Sequence, residues 1–217
     1  MNPVLKDQGR KSQAAEIDAL MEYIEGGGGI ALEIENTLEG LPESYSVILE
    51  TQSEKYDLLI ANLIKVFTKR GIPGIFVTVN KSAPEIMQLL EKKGVATTGI
   101  FVVDVISKKK TEARVKSKSI SYVDSPQNLT EIEAQVTDFA ERLQGNEKFF
   151  VLDSLSTLLV YNADKNVEKF VHGLGERLKD LGFKAVFTIM AGTRPEIMNV
   201  LMQFCDKLVK TSPPIKP

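Results

Sequence analysis

The chain has 217 residues, 43% of them apolar, with 27 basic against 29 acidic side chains and a formal net charge of −2. That length and apolar fraction suit one domain with a substantial core, and the near-neutral balance excludes a polyelectrolyte role on nucleic acid for the molecule as a whole. A single cysteine, Cys205, and a single histidine, His172, exclude an internal disulfide, a cysteine-built metal site and a histidine cluster.

In chain order, the first dozen residues are polar, and MNPVLKDQGRKSQ lacks the apolar run of a signal peptide. Ala14, Ile17, Leu20, Met21 and Ile24 recur at helical spacing and predict an amphipathic helix. It is expected to stop at Gly26–Gly29, read as a flexible connector because no lysine follows the glycines and no apolar strand leads into them. Residues 1–29 thus form a leading segment, 30–211 the folded domain, and 212–217 a proline-rich tail.

Beyond Gly40-Leu41-Pro42, strands and helices alternate. Ser46–Glu50 (SVILE) reads as a strand and Tyr56–Arg70 as a helix apolar on most sides. Gly74–Val79 is a second strand, and Ser82 with Glu85 forms a capping box opening a helix through Lys93. Gly99–Ile106 is a third strand, followed by a lysine-rich excursion and the short strand Ser119–Val123. Thr130 with Glu133 offers a second capping box for a helix to about Arg142. Phe149–Asp153, the helix Asn166–Leu181 and the strand Ala185–Met190 follow. Thr193-Arg194-Pro195-Glu196 opens a last helix, and Lys207–Lys210 is placed as an edge strand. The runs VILE, IFVTV, IFVVDVI, FFVL and AVFTI are nearly continuous apolar stretches, as strands buried on both faces must be. The expected fold class is α/β: three layers, a mainly parallel sheet with helices on both faces.

Lys148–Thr157 reads KFFVLDSLST, an apolar strand ending in an aspartate that emerges at the strand's C-terminal edge. Together with SVILE after Gly40-Leu41-Pro42-Glu43, RGIPGIFVTVNKSAPEIMQLLEKKG at Arg70–Gly94, VDSPQNLTEI at Val123–Ile132 and FFVLDSLSTLLVYN at Phe149–Asn162, it resembles the KaiC-like, RadA-like branch of the RecA superfamily ATPases, of the archaeal single-domain type. The likeness runs from about Leu38 to Thr211. It implies a RecA-like P-loop NTPase fold with Asp153 as the metal-side aspartate and assembly through the RecA fold as rings or dimers.

The departures from the family pattern bear on function. A P-loop needs G-x-x-x-x-G-K-[ST], so that backbone N–H groups cradle phosphates and a lysine reaches them. No glycine in this chain is followed by lysine, and the corresponding slot, Glu50, Thr51, Gln52, Ser53, Glu54, Lys55, Tyr56 and Asp57, contains no glycine. Glu50 and Glu54 place negative charge beside where phosphates belong, and Tyr56 stands where the metal-binding hydroxyl belongs. Where active relatives carry a glutamate to polarise water, this chain has Asn80 and Lys81. Phosphoryl transfer rests on positioning and electrostatics, so loss of cradle, hydroxyl and base implies loss of hydrolysis. The degenerate nucleotide site is therefore Thr51–Tyr56, Asn80, Lys81, Asp153 and Ser154, with no confident metal position. Asp153 would hold Mg²⁺ only if nucleotide binds.

Ser154 and Ser156 lack a nearby base and make no nucleophile. Lys108, Lys109, Lys110, Arg114, Lys116 and Lys118 form a basic stretch without interleaved aromatics, which suits a solvated loop or an acidic protein partner better than single-stranded nucleic acid. The expectation is a cytoplasmic, noncatalytic regulatory or scaffolding protein without a cofactor, acting through a protein partner, an active paralogue or copies of itself, with nucleic acid and membrane set aside. The alternative is an ATP-binding protein that takes Mg-ATP through an unorthodox loop using Lys55, in signal transduction or as a DNA-repair accessory.

Overall fold

Five apolar runs that cannot face water on either side dictate a sheet enclosed between two helical layers. The computed structural model describes residues 28–52, 56–107 and 117–210. The expected N-terminal amphipathic helix, Ser53–Lys55, Lys108–Lys110, Arg114, Lys116 and the tail lie outside the described residues.

The elements run α1 (Gly28–Leu38), β1 (Tyr45–Thr51), α2 (Tyr56–Thr68), β2 (Gly74–Thr78), α3 (Ala83–Lys92), β3 (Ile100–Asp104), β4 (Ile120–Tyr122), α4 (Leu129–Arg142), β5 (Lys148–Asp153), α5 (Leu155–Tyr161), α6 (Asp164–Asp180), β6 (Phe183–Met190), α7 (Pro195–Leu201) and β7 (Lys207–Lys210). All seven strands are parallel, in the order β4-β3-β2-β5-β6-β1-β7. The three-layer α/β expectation holds, and β7 takes the predicted edge position. β5, which carries Asp153, lies one strand removed from β1, with β6 between them.

Period-two alternation sends neighbouring residues of each strand into different cores. Phe76, Val102, Phe149, Val151 and Val186 face α1, α2 and α3, meeting Ile34, Leu63, Phe67, Ile86 and Leu90. Ile75, Val77, Val103, Phe150, Leu152 and Phe187 face α4, α5, α6 and α7, meeting Ile132, Phe139, Leu158, Leu174 and Ile197. The stripe Val167, Phe170, Val171, Leu174 and Leu178 is buried as its helical spacing requires, whereas His172 lies on the outer side of α6, stacked on Phe204 at 4.5 Å.

Two local expectations need correction. Gly28 and Gly29 do not belong to a connector; they open α1, whose Ile34 is 2% exposed and packs on α2. Tertiary burial of one apolar face outweighs the weak helix propensity of glycine there. The cap of α4 is Asn128 rather than Thr130: its side chain accepts from the Glu131 N–H at 3.2 Å and donates to the Glu131 carboxylate at 2.8 Å. The segment after Asp153 forms a separate short helix, α5, ahead of α6. The Ser82–Glu85 capping box is present as the sequence requires.

Gly74 opens β2 flat against Phe149, whose ring stacks on Phe67 at 4.9 Å. A Cβ at this position would sit 2.4 Å from both the Phe149 ring and its carbonyl oxygen. Gly74→Ala therefore forces the centre of the sheet to shift and is expected to lower stability by about 1–3 kcal/mol, read by urea denaturation. An unchanged midpoint would contradict this packing.

Candidate functional site

Helices that leave the C-terminal ends of adjacent strands toward opposite faces open a crevice there, the usual ligand position of parallel α/β sheets. Here α3 follows β2 onto one face and α5 follows β5 onto the other. Between them lies an open cleft of about 480 Å³ lined by Tyr56, Asp57, Asn80, Lys81, Ser154, Thr157 and Met190.

The strand tips behind this cleft carry a polar row. Thr78 is in register with Asp104 on one side and Asp153 on the other, so all three side chains share the face covered by α2 and α3. Each is fully buried. Thr78 donates through Oγ1 to the Lys81 carbonyl at 2.6 Å. Asp104 accepts three backbone N–H groups: Ala83 at 2.7 Å, Ser107 at 2.9 Å and Ile106 at 3.0 Å. It pins the start of α3 and the turn after β3, a structural task.

Asp153 is differently placed. Its Oδ1 accepts from Asn80 Nδ2 at 2.8 Å, while its Oδ2 is buried without a hydrogen-bond partner among the described residues. Burial pushes the carboxyl up from 3.8 to about 8. Burial disfavours the ionised form, and a single neutral hydrogen bond to Asn80 offsets little of that cost. Asn80 is held in turn by Thr157, whose Oγ1 donates to Asn80 Oδ1 at 2.5 Å, and its amide stands 3.4 Å from the Tyr56 hydroxyl. Beside it, Lys81 Nζ meets Asp57 Oδ2 at 2.8 Å.

Of the sequence-predicted positions, Tyr56, Asn80, Lys81, Asp153 and Ser154 converge here. Thr51 and Gln52 do not line the cleft. Thr51 is buried at the tip of β1, and its carbonyl accepts from Ala191 N–H. Lys118 is exposed, and its carbonyl accepts from Arg142 at 2.6 Å. Ser154 is buried, and Ser156 Oγ accepts from Met190 N–H, so neither is poised as a nucleophile. Asp57 closes the slot that follows β1 in the sequence, whereas Thr157 and Met190 are not singled out there, and only the run of small hydroxyls after Asp153 hints at Thr157.

The residues do not fit a magnesium site. Mg²⁺ requires oxygen ligands in near-octahedral order, usually from a carboxylate or two plus substrate phosphates. Asn80 instead points an N–H at Asp153, Asp57 is engaged by Lys81, and no group of three His, Cys, Asp or Glu able to hold a metal exists among the described residues. No helix among the described residues is long and apolar enough to cross a membrane.

A family model described as "Family of unknown function (DUF7504)" matches residues 52–211, most of the chain. The chain belongs to this family. No curated protein matches it. Among solved structures, the KaiC-like protein PH0186 from the hyperthermophilic archaeon Pyrococcus horikoshii OT3 is 17% identical, with 82% of this chain and 76% of that chain covered at a TM-score of 0.57. The uncharacterized protein PH0321 from Pyrococcus horikoshii, crystallised in complex with an unknown peptide, is 11% identical, with 83% and 82% covered at a TM-score of 0.61. At these identities the likeness carries the fold, and this DUF7504 chain has a KaiC-like, RecA-like architecture.

The two strand-tip aspartates of this DUF7504 chain should respond oppositely to substitution. Asp104→Ala strands three buried N–H groups and is expected to cost roughly 3 kcal/mol or more in urea denaturation. For Asp153, the folded state holds a proton from 3.8 up to about 8 that the unfolded chain gives up. Its contribution is thus complete below pH 4 and declines as pH rises to about 8, by up to about 1.4 kcal/mol per unit. Asp153→Asn, neutral at every pH, should gain stability relative to the parent between pH 5 and pH 8. A pH-independent difference would refute the buried neutral acid.

Proposed function

We propose that this protein is a noncatalytic relative of the RecA/KaiC-like ATPases that works as a regulatory or scaffolding subunit through protein contacts. The observation carrying this reading is the connection between β1 and α2. Only four residues, 52–55, separate the end of β1 at Thr51 from the start of α2 at Tyr56, and positions 50–57 contain no glycine. A phosphate cradle needs successive backbone amides turned inward, which only glycine-rich backbone supplies at such close approach. The N-terminus of α2, the end that would favour phosphate, already carries Asp57 in its first turn. Asp57 is in turn paired with Lys81 at 2.8 Å.

Contact needs surface, and α5 offers one. Thr157, Val160 and Tyr161 share its outer face at i, i+3 and i+4, with Val160 78% and Tyr161 49% exposed. This apolar pair continues from the Thr157 side of the cleft. The structural neighbour PH0321 holds a peptide, which supports protein contact as the use of this fold here.

Isothermal titration with Mg-ATP and Mg-ADP decides between this reading and an ATP binder. No saturable heat is expected with either nucleotide. Micromolar binding with turnover would overturn the proposal, and binding abolished by Lys55→Ala would assign an unorthodox phosphate loop instead.

A further inference from the structure

The contact between Asn80 and Asp153 is more than routine satisfaction of a buried polar group. Asn80 sits just past β2 and is itself solvent-exposed, yet its amide reaches inward to a carboxyl that is fully buried. The Thr157 hydroxyl on α5 meets Asn80 Oδ1, and Nδ2 of the same amide is directed at Asp153. Tyr56 on α2 approaches from the third side. One side chain thereby meets groups from α2, β5 and α5 around the rim of the cleft.

The chemistry of that contact is specific. An amide N–H occupies the acceptor direction of Asp153 Oδ1 that a cation would need, and an N–H cannot be a metal ligand. Oδ2, the remaining oxygen, is buried with no hydrogen-bond partner among the described residues. The carboxylate that does line the cleft, Asp57, is engaged by Lys81 at 2.8 Å. Two neighbouring residues, Asn80 and Lys81, therefore disarm the two acids, one by a hydrogen bond and one by an ion pair.

We propose that Asn80 is a built-in plug that closes Asp153 to divalent cations, and that replacing its amide by a carboxylate opens a cation site at the C-terminal tip of β5. This rests on the noncatalytic reading of the cleft and names how the metal side of it is kept shut. In Asn80→Asp, a carboxylate would stand about where Nδ2 now lies, 2.8 Å from Asp153 Oδ1. Two carboxylates that close repel unless a proton or a cation lies between them.

Two measurements on the full chain test this. In Mn²⁺ titrations followed by water-proton relaxation, the parent should show no Asp153-dependent binding. Asn80→Asp should bind at least about tenfold more tightly, and Asn80→Asp/Asp153→Asn should lose that gain. Separately, Asp153 in Asn80→Ala should be modified by a water-soluble carbodiimide and amine at least about tenfold faster than in the parent, since removal of the amide exposes the acid. Asp153-dependent Mn²⁺ binding by the parent overturns the plug, as does a folded Asn80→Asp without gain, or a folded Asn80→Ala whose Asp153 labels no faster. The nucleotide titration uses the parent alone and without Mn²⁺, so failure of the noncatalytic reading and failure of the plug are read from different experiments.

Discussion

A parallel sheet covered by helices on both faces can present polar groups only where its strands end, and everything distinctive here follows from that constraint. The strand interiors are apolar because neither face meets water. The tips of β2, β3 and β5 carry Thr78, Asp104 and Asp153 in one register-matched row, all fully buried. Each must find its hydrogen bonds from the loops and helix starts packed over the sheet edge. Asp104 finds three backbone donors and Thr78 finds the backbone of Lys81. Asp153 finds a single side chain. That inequality separates a structural acid from a disarmed one on adjacent parts of the same edge.

The cleft beside Asp153 is consistently paired off. Lys81 neutralises Asp57, Thr157 orients Asn80, and Asn80 covers Asp153. A nucleotide site needs the opposite: amides and cations left free to meet phosphate, and carboxylates left free to meet metal. The Lys81–Asp57 pair is partly exposed and screened by solvent, whereas the bond from Asn80 reaches a fully buried carboxyl. The apolar outer face of α5, with Val160 and Tyr161 in solvent, is the contrasting unsatisfied feature of the same rim.

Much of the architecture was legible in the residues. Runs such as GIFVT and KFFVLD are long enough and apolar enough to be strands buried on both sides. The Ser82–Glu85 box and the stripe from Val167 to Leu178 marked their helices by local rules that tertiary packing did not disturb. α1 was not legible, because Gly28 and Gly29 look like a break until Ile34 is seen buried against α2. The cap of α4 was misplaced by two residues because Asn128 and Thr130 are both credible caps, and only backbone geometry chooses Asn128. Within the cleft, Asp57, Thr157 and Met190 come from three elements far apart in sequence, and no spacing rule joins them.

By itself the sequence determined the fold class, the strand that ends in Asp153, and the lack of glycine between Glu50 and Asp57, because periodicity and backbone freedom are properties of residue type. Only the tertiary structure decided what Asp153 became. Its burial, its one bond to Asn80, the orienting hydroxyl of Thr157 and the capture of Asp57 by Lys81 depend on which loops the parallel sheet brings to one edge. An aspartate at a strand tip is a metal ligand or a buried neutral acid according to its neighbours' donors and to solvent, and neighbours across a sheet are set by topology rather than by sequence order.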